Sequence, residues 1–187
     1  GCGSILAELS YLQKDQYFKS SLTKIKSLNA EVIYVPGYYE EVGKIVKQAR
    51  ELGITAPILG GDGWDSPKLV ELGTAEALNN TYFTNHYSVE DTSPACKTFV
   101  EAYKKEYGQM PDAMAVLGYD AANALIDAIK RANSLEPDKI RAALAETKDF
   151  PAITGSTTLN ATHDAVKSAV IIEMKDGKQV FKASVKP

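Results

Sequence analysis

Val32-Ile33-Tyr34-Val35 runs into Pro36-Gly37-Tyr38-Tyr39-Glu40, and Pro57-Ile58-Leu59 runs into Gly60-Gly61-Asp62-Gly63-Trp64-Asp65. Each is a short apolar, β-branched or aromatic run stopped by residues that turn the chain, the pattern of a strand that ends in a loop. In an open α/β sheet the crevice beyond the carboxyl ends of the strands is where ligands sit. The tyrosines and aspartates of these two loops therefore point to recognition of a cationic or zwitterionic solute.

Outward from these loops, strand and helix alternate through residue 85. Residues 5–7 read as a short strand, and Phe18, Leu22, Ile25 and Leu28 recur at helical spacing. Val42, Ile45, Val46, Ala49 and Leu52 mark one apolar helix face, with Gly53 placed where a helix end takes a left-handed residue. A strand over 57–59, a short helix opened by Ser66-Pro67, and a strand at Tyr82-Phe83-Thr84 follow. This rhythm predicts an α/β fold whose parallel sheet is covered by helices.

From residue 93 the rhythm changes to helix after helix. Ser93-Pro94 opens one with Phe99, Val100, Tyr103 and Tyr107 inward; Leu117, Ala121, Leu125 and Ile129 stripe a second; residues 138–146 form a third. The end is all strand, over 157–159, 169–174 and 180–185, the last two joined at Asp176-Gly177, a strong hairpin signal. Three consecutive helices have no sheet of their own to cover, so they are expected to belong on a sheet whose strands this chain lacks.

The chain has 187 residues, 44% of them hydrophobic, and a net charge of −3 from interspersed lysines and glutamates. A core of useful size is available, while nucleic acid and an anionic membrane surface are excluded as main partners because no basic stripe exists. No apolar run approaches the roughly 20 residues that span a bilayer. Cys2 and Cys96 are too few for a disulfide scaffold, and Cys96 reads as an inert packed thiol. Gly1-Cys2-Gly3-Ser4 raises lipid attachment at Cys2 as one option. His86 and His163 stand in separate segments without metal-ligand spacing, and neither GxGxxG, GxSxG nor a Walker A sequence occurs. Glu40-Glu41 read as acids favoured by a helix N-terminus, not as a catalytic pair. No metal, no cofactor and no enzyme activity are expected.

The two loops, followed in order by Tyr82-Phe83-Thr84, Ser93-Pro94, Pro111-Asp112-Ala113, Gly118-Tyr119-Asp120-Ala121-Ala122, Thr154-Gly155-Ser156 and the final hairpin, resemble the substrate-binding proteins of branched-chain amino-acid ABC transporters, a family of type I periplasmic binding proteins. The resemblance implies Rossmann-like lobes, each a parallel sheet flanked by helices, that clamp an amino acid between them. It covers the C-terminal half of such a protein and so implies an incomplete two-lobe fragment. Residues 1–85 would be most of lobe two, 86–155 the helical part of lobe one, and 156–187 the return strands and hairpin of lobe two. The implied partners are a small amino acid and the membrane permease of an ABC transporter, with dimerisation, or complementation by the missing N-terminal half, to complete the clamp. The implied location is the periplasm or the outer face of the cytoplasmic membrane.

Carried over residue by residue, the resemblance makes Tyr38 the aromatic that faces the ligand from lobe two and Asp62 the carboxylate for its α-ammonium, where the family often has Glu. Met114 and Tyr119 would supply the apolar contact to the ligand side chain, and Trp64 would wall the crevice. The chemistry is sound on its own terms: an ammonium offers three donors, a carboxylate only accepts, and a tyrosine face adds a cation–π attraction. The alternatives are a turn residue for Asp62, a half-buried loop aromatic for Tyr38, core packing for Tyr119 and a core cover for Trp64. Hinges are expected near 85–88 and 153–157. A related binder of amides, urea-like or aromatic solutes, and a flavodoxin-like fragment without a ligand, are the rival readings.

Overall fold

A computed structural model describes residues 3–187; the expectation for Cys2 falls outside them. The chain divides into two compact units, Gly1–Thr84 with Ile171–Lys182, and Asn85–Val170 with Ala183–Pro187.

The first unit opens on α1 (Lys19–Ser27), β1 (Ile33–Val35) and α2 (Tyr39–Glu51), then β2 (Ile58–Gly60), a 3-10 turn (Asp62–Trp64), α3 (Lys68–Gly73) and β3 (Thr81–Asn85). β1, β2 and β3 are parallel neighbours. Their side chains alternate as the pleat demands: Ile33, Val35, Ile58, Thr81 and Phe83 are buried, with Val42, Ile45, Val46, Ala49 and Leu69 of α2 and α3 also in the core. Tyr34, Leu59 and Tyr82 stand in register across the other face. Gly53 ends α2 at φ +77°, the left-handed conformation its position called for.

Residues 5–7 lie in no strand, and Ile5 is exposed. A strand exists only through the ladder it shares, and an apolar triplet without a partner supplies none.

In the second unit α4 (Pro94–Tyr107), α5 (Ala113–Ala132) and α6 (Pro137–Ala145) precede β4 (Phe150–Ala152), β5 (Gly155–Leu159) and β6 (Ala165–Val166), an antiparallel three-stranded sheet. Ser93 caps α4 by accepting the N–H of Cys96 on Oγ at 3.3 Å, and Asp112 caps α5 by accepting that of Ala115 on Oδ1 at 2.9 Å. The core is Tyr87, Cys96, Phe99, Ala113 and Val116, with Val100, Tyr103 and Ile153 packed against it. Two details differ from the sequence reading. Tyr107 is exposed at the end of α4. The seam that α5 buries is Ala113, Val116, Asp120 and Ala128, while Leu125 of the expected stripe is exposed. α5 is apolar on more than one face, and periodicity cannot tell which face meets the core.

β7 (Ala169–Lys175) and β8 (Lys178–Val185) then extend the first unit's sheet in the order β1-β2-β3-β7-β8. Asp176 and Gly177, at φ +50° and +74°, make the expected hairpin turn. Asn79 Oδ1 accepts the Asp176 N–H at 2.8 Å and fastens that turn to the loop before β3.

Candidate functional site

At the carboxyl end of β1 the chain leaves the sheet through Pro36 and Gly37, and Tyr38 stands at the N-terminus of α2 in extended conformation. Gly37 has no room for a side chain: a Cβ there would lie 2.0 Å from the Tyr11 hydroxyl. Tyr11 packs edge-on against Phe18 at 5.6 Å, and burial followed by the nearby Glu41 carboxylate raises its pKa. Glu41, buried in the first turn of α2, accepts the Lys14 N–H at 2.7 Å, while Gln48 accepts the Phe18 N–H at 2.8 Å and donates to Gln16 O at 2.9 Å. These bonds lay residues 11–18 along α2, with Glu41 as one fastening.

The second loop meets the first at Gly63. A Cβ there would lie 2.8 Å from the Gly37 carbonyl oxygen and 3.0 Å from Tyr38 Cδ1. Tyr38 and the Asp62–Trp64 turn are thus brought into contact at the carboxyl ends of β1 and β2. Tyr38 is 67% exposed and Asp62 partly exposed, whereas Asp65 accepts a 2.6 Å hydrogen bond from Gln179 Nε2 on β8.

Trp64 takes a different place from the crevice wall expected of it. It is 0% exposed, its ring fills the space above Gly60, where a Cβ would come within 2.1 Å, and it packs on Phe83 at 5.9 Å. Its indole Nε1 donates to Val35 O at 3.2 Å. An indole that pairs its one donor inside the protein and has a glycine beneath it packs as core, and Trp64 supports the two loops from below.

In the second unit, Met114 and Tyr119 are both about half exposed on α5. Five residues apart, they point about 140° away from each other around the helix, so they do not share one face. The Tyr119 ring packs on Phe99 at 4.8 Å, so it is half core and half surface. Beside it Asp120, 8% exposed, accepts the backbone N–H of Ile153 at 2.8 Å on one carboxylate oxygen and that of Thr154 at 2.9 Å on the other. The Thr154 hydroxyl accepts from Lys167 Nζ at 2.8 Å. Burial holds the pKa of that ammonium below the ordinary lysine value, and the attraction of Asp120 partly offsets the effect.

Sequence reasoning passed over two of these groups. Asp120 had a signal, a carboxylate at helical spacing on the seam of Ala113 and Val116. Arg50 had none: its guanidinium gathers the carbonyls of Ile54, Ala56, Ala77, Asn79 and Asn80, acceptors that leave no mark in a sequence. Among the described residues no three His, Cys, Asp or Glu side chains gather as metal ligands, and no helix is long and apolar enough to cross a membrane.

Comparison with known proteins agrees with this architecture. The sequence profile of the periplasmic binding protein family matches residues 3–179. The Leu/Ile/Val-binding protein BraC3 of Rhizobium johnstonii is 32% identical over 152 residues, 80% of this chain and 40% of that protein. The crystal structure of the leucine-binding protein LivK of Thermotoga maritima superposes with a TM-score of 0.89 at 42% identity, covering 95% of this chain and 51% of that one. That of LivJ of Streptococcus pneumoniae, a branched-chain amino acid transporter substrate-binding protein in complex with isoleucine, gives a TM-score of 0.88 at 39% identity, covering all of this chain and 53% of that one. The chain therefore spans about half the length of the proteins it matches.

Proposed function

This chain belongs to the periplasmic binding protein family, whose members bind solutes and are not enzymes, and from that membership we propose that it carries part of a clamp for a branched-chain or related amino acid destined for an ABC transporter. One observation carries the reading: the Tyr38 and Asp62 loops touch at Gly63, beyond the carboxyl ends of two parallel strands, with Tyr38 open to solvent. Asp62 accepts hydrogen bonds from the solute's ammonium and Tyr38 offers its ring to the same charge; a charge-assisted hydrogen bond of this kind is worth about 1.5–3 kcal/mol net. Trp64 contributes by holding the loop up from the core. On α5, Tyr119 offers an apolar contact to the solute side chain, and Met114, about 140° around the helix, offers one in another direction. The relatives named for leucine, isoleucine and valine, and the isoleucine complex, support this solute class.

In the whole protein the two units belong to two lobes that close on the solute about hinges near 85–88 and 153–157, and the bound solute shifts the population toward the closed form. The place of work is the outer side of the cytoplasmic membrane, where the permease receives the solute.

The test is thermal unfolding of the full-length protein with each proteinogenic amino acid, followed by titration calorimetry on Asp62→Ala. Leucine, isoleucine or valine should raise the midpoint, and Asp62→Ala should weaken binding at least about tenfold, or about 1.4 kcal/mol, with little loss of stability. Stabilisation by benzoate or acetamide in place of these amino acids would assign another solute class. Unchanged affinity would remove Asp62 from the site.

A further inference from the structure

We propose that Asp120 is a positioning residue that locks the segment after β4 to the solute-facing start of α5, so that Tyr119 and Thr154 move as one body; this rests on the reading that α5 presents Tyr119 to the solute. Asp120 sits on the buried seam of α5, where an unpaired carboxylate would be costly. Its two oxygens are used on two successive N–H groups, Ile153 at 2.8 Å and Thr154 at 2.9 Å, 33 and 34 residues further along the chain. This arrangement requires an acceptor on both oxygens. An amide offers one acceptor and a donor, which would confront the second N–H with another N–H.

The grip is reinforced from the far side. Lys167 Nζ donates to the Thr154 hydroxyl at 2.8 Å, so Thr154 is held by Asp120 through its backbone and by Lys167 through its side chain. Ile153 is itself packed against the core of Phe99 and Val116, and Phe99 carries the Tyr119 ring at 4.8 Å. From Tyr119 the path runs through the adjacent Asp120 to both Ile153 and Thr154, and again through Phe99 and its core to Ile153. The segment they fix is one at which the sequence placed a hinge. A solute resting on Tyr119 therefore acts on a rigid element that includes 153–154, whereas without the carboxylate the helix start and this segment would move separately.

The isosteric Asp120→Asn is the decisive variant, with Asp127→Asn as control, since Asp127 lies on the same helix and its 2.8 Å partner is Arg131. Hydrogen exchange of the 187-residue chain reads the lock without any ligand. Asp120→Asn should speed exchange of the Ile153 and Thr154 amides at least about tenfold, with the other α5 amides unchanged, and Asp127→Asn should leave Ile153 and Thr154 alone. In the full-length protein, titration with L-leucine should weaken at least about tenfold for Asp120→Asn and stay within about twofold for Asp127→Asn. Exchange at Ile153 and Thr154 that does not respond to Asp120→Asn overturns the lock. Normal leucine affinity in Asp120→Asn overturns the coupling. Tyr119→Ala separates the failures: if it binds leucine normally, the placement of the solute on α5 fails while the exchange result stands. Should Asp120→Asn not fold, exchange of the wild-type full-length protein decides, because L-leucine should slow Ile153 and Thr154 together with the start of α5, and slowing of α5 alone overturns the proposal.

Discussion

Gly63 stands directly against the ring of Tyr38, so close that a Cβ at position 63 would lie 3.0 Å from Tyr38 Cδ1 and 2.8 Å from the carbonyl oxygen of Gly37. The contact joins the loops after β1 and β2, and no flexible side-chain end is available on the Gly37 side to yield. Gly63→Ala should therefore push the loops apart, destabilise the chain by about 1–3 kcal/mol, the usual cost of overpacking, and lower solute affinity. Gly61→Ala is the comparison, because its Cβ would meet nothing within 4 Å and its φ of −110° suits alanine. Denaturant unfolding and calorimetry of both variants check this; equal behaviour of the two would show that the loops do not depend on the Gly63 contact.

The 187-residue chain by itself should bind leucine in the millimolar range or not at all. On the proposed reading Tyr38 and Asp62 supply only the first unit's share of a clamp, and the loss of roughly 4 kcal/mol of contacts lowers affinity about a thousandfold. Addition of the remaining portion of the protein in trans should restore tighter binding. Micromolar binding by the chain alone, measured by calorimetry, would place the site elsewhere.

Arg50 should matter more to stability than any surface charge. Its guanidinium spans carbonyls on both sides of β2, at Ile54 and Ala56 and at Ala77, Asn79 and Asn80, with distances of 2.7–3.4 Å. Arg50→Met takes this donor away from all five carbonyls, of which Asn80 O keeps the Ile58 N–H at 3.3 Å, and Arg50→Lys keeps the charge but lacks the planar fork that reaches several carbonyls at once. Both should cost at least about 2 kcal/mol in urea unfolding, with lysine unable to rescue. A near-neutral Arg50→Lys would mean that charge, not geometry, is what the carbonyls need.

Lys167 gives a pH dependence whose sign is fixed. Burial depresses its pKa in the folded chain below the ordinary 10.5, so the unfolded chain holds the proton more tightly. The cost to stability is complete below the depressed folded value and is relieved as pH rises toward 10.5. The stability of the wild type relative to Lys167→Met should therefore increase as pH rises from neutral toward 10.5. A flat or falling difference in unfolding free energy would contradict this.

What the sequence by itself determined is local. The strands at β1, β2 and β3, the caps at Ser93 and Gly53, and the Asp176-Gly177 hairpin were all legible because each rests on neighbours in the chain: a β-branched or aromatic run, a hydroxyl three residues from an amide, or residues that accept positive φ. The Tyr38 and Asp62 loops were legible for the same reason, as turns at the ends of recognisable strands. Only the tertiary structure decided which residues meet at long range. It sent Trp64 into the core because Gly60 and the Val35 carbonyl make room and a partner for it; it left residues 5–7 without a ladder, and it turned Ala113, Val116 and Asp120 inward where another face of α5 was equally apolar. Arg50 and Asp120 show the limit most clearly, since both bind backbone groups, and every residue offers the chain the same carbonyl and, proline apart, the same N–H until folding selects which of them lie within reach.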